Sequence, residues 1–232
     1  MHRWPAGWPC MRPGARGDMA IDAGIHLLEK RLAGHRPVSL PGKSRITRAC
    51  TCILLNGSGD DMDLLLIRRA RRKGDPWSGH VGLPGGKMAS GDGSGRSAAV
   101  RELMEETGIN VLSGGRYLGR LSDLLTRSHN NRRPMMVTPY VFHAQTNGTT
   151  PEIQEDEVAD IFTLPLSFLL DNGNRRSFSY PLRGRHVRLP CYVFEGRRIW
   201  GLTLMMLNEL AGVYRGRHQG YLTWARRYLG FH

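Results

Sequence analysis

Residues 85–109 read GGKMASGDGSGRSAAVRELMEETGI, from Gly85 to Ile109. The second half of this stretch predicts a helix over Ser97–Thr107, with Ala98, Val100, Leu103 and Met104 among its apolar positions. Gly108 stands where a helix C-terminus takes a left-handed residue. Glu102, Glu105 and Glu106 fall at i, i+3 and i+4, so their carboxylates share one helix face. Like charges at that spacing cost an isolated helix about 0.2–0.5 kcal/mol per pair. A divalent cation converts the repulsion into coordination. Mg²⁺ prefers hard oxygen ligands, a few of them carboxylates, with waters and substrate phosphates completing the shell. Arg101 lies four residues before Glu105 and can orient it by an ion pair. An ordinary solvated acidic face would carry the same three glutamates. What sets this one apart is its setting: a Gly-Gly loop, then Asp92, then Arg101 and the glutamates, then Gly108.

Working outward, Arg48–Leu55 and Asp63–Arg68 are short apolar runs joined by Gly57-Ser58-Gly59-Asp60-Asp61, which predicts a hairpin. Residues 69–79 form a basic, polar loop. His80–Leu83 reads as a short strand closed by Pro84-Gly85-Gly86. Downstream, strands are predicted over Arg116–Leu124, Met136–Ala144, Glu157–Leu164 and His186–Phe194. Helices are predicted over Pro165–Leu170, Ile199–Tyr214 and Tyr221–Leu229. In Ile199–Tyr214, Leu202, Met205, Met206 and Leu210 form a stripe that reads as core. Upstream, Ile25, Leu28 and Leu32 share a face of a helix over Ile21–Ala33. Residues 1–19 are rich in Pro, Gly and Arg and are expected to be a disordered extension, with residues 20–232 forming one domain.

The chain has 232 residues, of which 40% are hydrophobic and 23% charged, the composition of a globular protein. Its net charge is 33 − 20 = +13. Only Lys30, Lys43, Lys73 and Lys87 are lysines, so the charge is carried by 33 − 4 = 29 arginines. Guanidinium forks favour acidic partners, phosphates among them, although a solvated basic surface has the same composition. Four cysteines do not make a disulfide framework at this length, and Cys50-x-Cys52 lacks zinc-ligand spacing. Buried thiols in a reducing cytoplasm are the expectation. No apolar run approaches 18 residues and the first 18 lack a signal-peptide core, so neither a membrane span nor secretion is expected.

The ordered constellation resembles the Nudix box, G-x5-E-x7-R-E-U-x-E-E-x-G-U, where U is apolar. Leu103 and Ile109 take the U positions. Two departures stand out. The sixth residue after Gly86 is Asp92 rather than Glu, and eight residues rather than seven separate it from Arg101. Both are similar to the coenzyme A pyrophosphatase branch of that family. The flanks agree in part: Leu64-Leu65-Leu66-Ile67-Arg68-Arg69 resembles that branch's LLTxRS strand end, and Leu83-Pro84-Gly85-Gly86 its FPGG. Glu157-Val158-Ala159 and Arg198-Ile199-Trp200-Gly201-Leu202-Thr203 also look like that branch. The resemblance covers about residues 45–210.

The resemblance implies a Nudix-type α/β/α sandwich with a mixed β-sheet. It implies an enzyme that hydrolyses a nucleoside diphosphate linked to another moiety, with Mg²⁺ or Mn²⁺ as cofactor and coenzyme A or a derivative as the leading small-molecule substrate. Glu105 and Glu106 are the first-choice metal ligands, joined by Glu102 and the Gly86 carbonyl. The catalytic base is left open between Glu105 and Glu157, with Glu155 a weaker choice, and Arg101 supports the catalytic helix. Arg69, Arg71 and Arg72 are substrate-binding candidates. Trp77 reads equally as a residue stacking on a base or as part of a packed turn, and His80 equally as a catalytic residue or as a structural hydrogen bonder. The enzymatic alternative is another substrate: ADP-ribose, a nucleotide sugar, a dinucleoside polyphosphate or a nucleoside triphosphate. A non-catalytic RNA- or nucleotide-binding module is the rival of another class. The +13 charge favours it, whereas the intact Arg101, Glu102, Glu105 and Glu106 oppose it. No specific nucleic-acid partner is expected, and a monomer or a homodimer both stay open.

Overall fold

The computed structural model describes residues 17–41, 46–75, 77–127, 134–145, 151–182 and 184–217. Helix α1 (Gly17–Gly34) opens the fold and begins inside the stretch expected to form the extension. Strands β1 (Thr47–Asn56) and β2 (Asp63–Arg69) form the predicted hairpin, with Leu55 opposite Leu64. Two short strands follow, β3 (Val81–Gly82) and β4 (Gly85–Lys87), and then helix α2 (Gly95–Thr107). Next come β5 (Arg116–Arg120), β6 (Leu124–Arg127), β7 (Pro134–His143) and β8 (Val158–Pro165). After α3 (Leu166–Leu170) come β9 (Arg175–Leu182), β10 (Arg185–Phe194), β11 (Arg197–Trp200) and α4 (Gly201–Tyr214).

The main sheet runs β3-β2-β1-β7-β5, with β4 also paired to β1, β6 to β7 and β8 to β2. Its centre, β1 against β7, is parallel, whereas β2, β4, β5, β6 and β8 add antiparallel. The sheet is therefore mixed, as expected. Alternation along β1 and β2 explains why it is covered on both sides. Cys50, Cys52, Leu54, Leu65 and Ile67 pack with Ala98, Ala99 and Leu103 of α2. Ile53, Leu55, Leu64 and Leu66 belong to the opposite core, with Leu28 of α1 and Leu207 and Leu210 of α4. The result is an α/β/α sandwich. Cys50, Cys52 and Cys191 are buried free thiols.

Four elements depart from the sequence reading. The expected strand over Arg116–Leu124 is two, β5 and β6, broken where Ser122 and Asp123 turn inward to bind the 35–40 segment. Residues 85–87, expected to be punctuation only, pair with β1. Strand β9, largely exposed and polar apart from an alternating Phe178, Tyr180 and Leu182 around Pro181, was not predicted. Strand β11 takes the first two residues of the helix expected from Ile199, so that α4 starts at Gly201. Strands β9, β10 and β11 form a separate antiparallel sheet. The helix predicted over residues 221–229 lies outside the described residues.

Candidate active site

Helix α2 positions the acidic residues, and its ends are well fixed. Ser94 caps it: its side chain accepts from the Ser97 amide at 3.1 Å, and the Ser97 hydroxyl oxygen accepts the Ser94 amide at 2.9 Å. Gly108 ends it at φ 70° and donates to the Met104 carbonyl. Leu103, fully buried, docks the helix on the sheet and turns the acidic face towards β4.

Arg101 gathers the acidic residues. Its Nε and Nη2 donate to the two Asp92 carboxylate oxygens at 3.0 and 2.9 Å. Its Nη1 lies 2.9 Å from Glu102 Oε1 and 2.7 Å from Glu105 Oε2, and Nη2 reaches the Lys87 carbonyl at 3.2 Å. Asp92 also accepts the Ala89 amide at 2.7 Å, so the loop is tied at both ends. The bidentate Arg101 contact, helped by the Ala89 amide, holds Asp92 below the ordinary carboxyl range despite its desolvation.

The three helix glutamates occupy different environments. Glu106 is 1% exposed and accepts the Gly85 amide at 2.9 Å. Burial pushes its carboxyl up to about 7, against the opposing pull of that amide. Glu102 is also raised by burial, with Arg101 opposing. It lies so close to Gly86 that any β-carbon there would collide with its carboxylate. Glu105 is half-exposed and drawn towards Arg101. Glu157 pairs with Arg72 at 3.5 Å and is near enough to act electrostatically on Glu102 and Glu106. Glu155 is exposed in the turn that leads into β8.

Among the described residues, no three His, Cys, Asp or Glu side chains converge as a ready metal cluster. Glu102 and Glu106 flank the Gly85-Gly86 backbone, whereas Arg101 competes for Glu102 and Glu105. The donor set is nevertheless all oxygen: carboxylates and the Gly86 carbonyl. This is the chemistry that Mg²⁺ and Mn²⁺ favour over softer metals, so the residues fit such an ion.

Gly85 and Gly86 open onto a cavity of about 460 Å³. One wall is aromatic: Trp77, His80, Tyr180 and Trp200. The His80 and Tyr180 rings lie 5.0 and 5.2 Å from the Trp200 ring, and Phe178 backs it at 5.3 Å. Burial holds His80 below the ordinary imidazole value, so it is neutral near pH 7. The structure separates the three candidate arginines. Arg69 lines the cavity, with one guanidinium nitrogen on Asp75 at 3.1 Å and a buried Nε that has no partner among the described residues. Arg72 is engaged by Glu157 and by the Asp156 carbonyl at 2.7 Å. Arg71 is exposed beside Gly79. Tyr180 and Trp200 escaped the sequence reading because they sit on strands β9 and β11, which it did not predict. The Phe178, Tyr180 and Trp200 spacing has meaning only once those strands are paired through β10.

The NUDIX domain family model matches residues 45–181, more than half of the chain and the whole of this acidic site. This chain belongs to the NUDIX domain family. Similar curated proteins include the Nudix hydrolase NudL of Citrobacter koseri, 33% identical over 148 residues, covering 64% of this chain and 73% of that one. NudL of Yersinia pestis is 36% identical over 151 residues, covering 64% and 70%. A Schizosaccharomyces pombe protein is 32% identical over 108 residues, a match that spans 46% of this chain and only 33% of the relative. Among solved structures, a MutT/nudix family protein from Enterococcus faecalis superimposes with a TM-score of 0.48 at 18% identity, covering 76% of this chain and 64% of that one. The chain is accordingly a Nudix hydrolase, and members of this family generally use divalent metals. No helix among the described residues is long and apolar enough to cross a membrane.

Proposed function

We propose that this Nudix hydrolase is a pyrophosphohydrolase that cleaves a nucleoside diphosphate linked to another moiety, with coenzyme A or a derivative as substrate. The observation that carries the reading is the meeting of Glu102 and Glu106 with the Gly85-Gly86 backbone at the mouth of a cavity large enough for such a ligand. Glu102, Glu105, Glu106 and the Gly86 carbonyl would hold Mg²⁺ or Mn²⁺. When bound, the ion neutralises phosphate charge and lowers the pKa of a water. Arg101 is a positioning residue: it fixes Asp92 and the loop against the helix and orients Glu102 and Glu105. Glu157 and Glu105 are the groups available to take the proton of the attacking water. Arg69, which lines the cavity, offers its guanidinium charge to a substrate phosphate, and the aromatic wall gives a planar ring a stacking surface. Arg71 and Arg72, further from the cavity, add positive potential for an anionic substrate.

Coenzyme A is favoured by the short Asp92 acid, the eight-residue spacer and the flanking Leu83-Pro84-Gly85-Gly86. Its cleavage gives an adenosine bisphosphate and a phosphopantetheine. A second reading rests on the aromatic wall, which stacks any nucleobase and so also suits ADP-ribose or a dinucleoside polyphosphate. A substrate panel separates the two. With Mg²⁺ or Mn²⁺ present, kcat/KM for coenzyme A or an acyl derivative is expected to exceed that for ADP-ribose, diadenosine polyphosphates and nucleoside triphosphates. Efficient cleavage of ADP-ribose with coenzyme A left intact would transfer the assignment to the second reading. If Arg69 binds the 3′-phosphate, Arg69→Gln lowers kcat/KM for coenzyme A about tenfold more than for its 3′-dephospho form.

A further inference from the structure

The three-stranded sheet borders a second cavity, of about 560 Å³, which shares no lining residue with the first. Its charged lining consists of three guanidiniums, Arg175, Arg176 and Arg188, with no carboxylate among the lining residues. Strand alternation brings two of the three together, whereas Arg176 starts from the opposite face of β9. Arg175 and Ser177 lie on one face of β9, and Arg188, opposite Ser179, shares that face. Arg188 Nη2 donates to Ser177 Oγ at 2.8 Å, which sets the plane of its guanidinium. Arg176 is steered by the Gly173 and Arg175 carbonyls. The Tyr192 hydroxyl donates to Asn208 Oδ1 at 2.9 Å, so what Asn208 retains for the cavity is its donor amide.

Several arginines elsewhere in the fold meet acids: Arg69 with Asp75, Arg72 with Glu157, Arg101 with Asp92, Arg197 with Asp160. Among the described residues, Arg175, Arg176 and Arg188 have no carboxylate partner, and yet they surround one concavity. Like charges lining one concavity repel one another, and a bound anion offsets the cost. Guanidinium forks match phosphate oxygens in pairs, and the volume lies in the range of small-ligand sites. We propose that this cavity is a second binding site, for a small anion bearing two or more phosphates, held by Arg175, Arg176 and Arg188 with Ser177 and Asn208. The site stands apart from the first cavity and does not rest on the substrate assigned there.

The test is calorimetric titration of the full chain with inorganic pyrophosphate in EDTA, which suppresses metal-assisted binding at the carboxylate site. Saturable binding is expected. Arg175→Gln combined with Arg188→Gln weakens it by about tenfold or more, because charge-assisted hydrogen bonds are lost. Both side chains are exposed, so the fold is expected to tolerate the change. The Arg175→Lys and Arg188→Lys pair, which keeps the charge but not the fork, should fall between wild type and the Gln pair. Arg69→Gln should leave the affinity unchanged. Binding that survives the Gln pair but disappears with Arg69→Gln would place the anion in the first cavity and overturn the proposal. So would a single-stranded oligonucleotide that binds through Arg175 and Arg188 where pyrophosphate does not.

Discussion

Arg101 and Asp92 show how one pair of residues organises a loop of unusual length. The sequence departs from the family box in having a shorter acid and one more residue between that acid and the arginine. The two changes meet in the same contact: Asp92, 6% exposed in its side chain, still reaches Arg101 with both oxygens. Asp92→Asn keeps the shape and removes the charge, and should cost about 1–2 kcal/mol. The sign with pH follows from the depressed carboxyl. A group ionising more readily in the folded state than in the unfolded chain stabilises fully above its unfolded value, near 3.8, and the benefit is lost as pH falls through the folded value. The gap in unfolding midpoint between wild type and Asp92→Asn, measured in EDTA, should therefore be widest above pH 5 and close as the pH falls below about 4. A gap that widens in acid would contradict the pairing. The role of Asp92 was only partly legible from the sequence, because loop length does not say whether a short acid will reach its partner.

At the scale of elements, helix α2 was read to within two residues, since its apolar spacing and its terminal Gly108 agree with one another, whereas the Ser94 cap that starts it at Gly95 was not read. The hairpin of β1 and β2 was equally clear, because Arg48–Leu55 and Asp63–Arg68 bury both faces and so read as continuous apolar runs. Strands β4, β9 and β11 were not legible. Residues 85–87 are held by pairing with β1 rather than by propensity, and β9 exposes most of its side chains, its short Phe178, Tyr180 and Leu182 alternation being interrupted by Pro181. This was consequential, as half of the aromatic wall lies on β9 and β11. The N-terminal cap of α2 offers a quantitative check on the element that carries the carboxylates. Ser94→Ala removes the side-chain half of the reciprocal cap, leaving the Ser94 amide on Ser97 Oγ, and should cost about 1 kcal/mol, or roughly 2–4 °C in midpoint for a chain of this size. Thermal unfolding followed by circular dichroism measures it. An unchanged midpoint would mean that packing of Leu103 and Ala99 alone fixes the helix.

At the scale of the molecule, two layers cooperate around the first cavity. The sandwich supplies Arg69 and the Gly85-Gly86 backbone against which Glu102 and Glu106 lie, and the three-stranded sheet supplies Tyr180 and Trp200. If the aromatic wall grips the substrate rather than the reacting phosphorus, its loss should appear mainly in KM. Stacking on an aromatic ring contributes about 1–3 kcal/mol, so Trp200→Ala is expected to raise KM roughly five- to a hundredfold with a smaller change in kcat. Steady-state kinetics with Trp200→Phe beside it, which keeps a ring, should recover part of the loss. A fall in kcat at constant KM would instead assign Trp200 to the chemistry. The claim on which the rest depends is that Glu102 and Glu106, at the Gly85-Gly86 mouth of this cavity, make the hydrolysis metal-dependent. The most direct measurement is turnover of coenzyme A, or of whichever panel substrate is cut best, by wild type and Glu106→Gln, each at saturating Mg²⁺ and in EDTA. The account predicts that wild type stops in EDTA and recovers on adding metal. It also predicts that Glu106→Gln, folded as wild type by circular dichroism, is slower by about two orders of magnitude or more at saturating Mg²⁺. Near-wild-type turnover by Glu106→Gln, or undiminished wild-type turnover in EDTA, would contradict it.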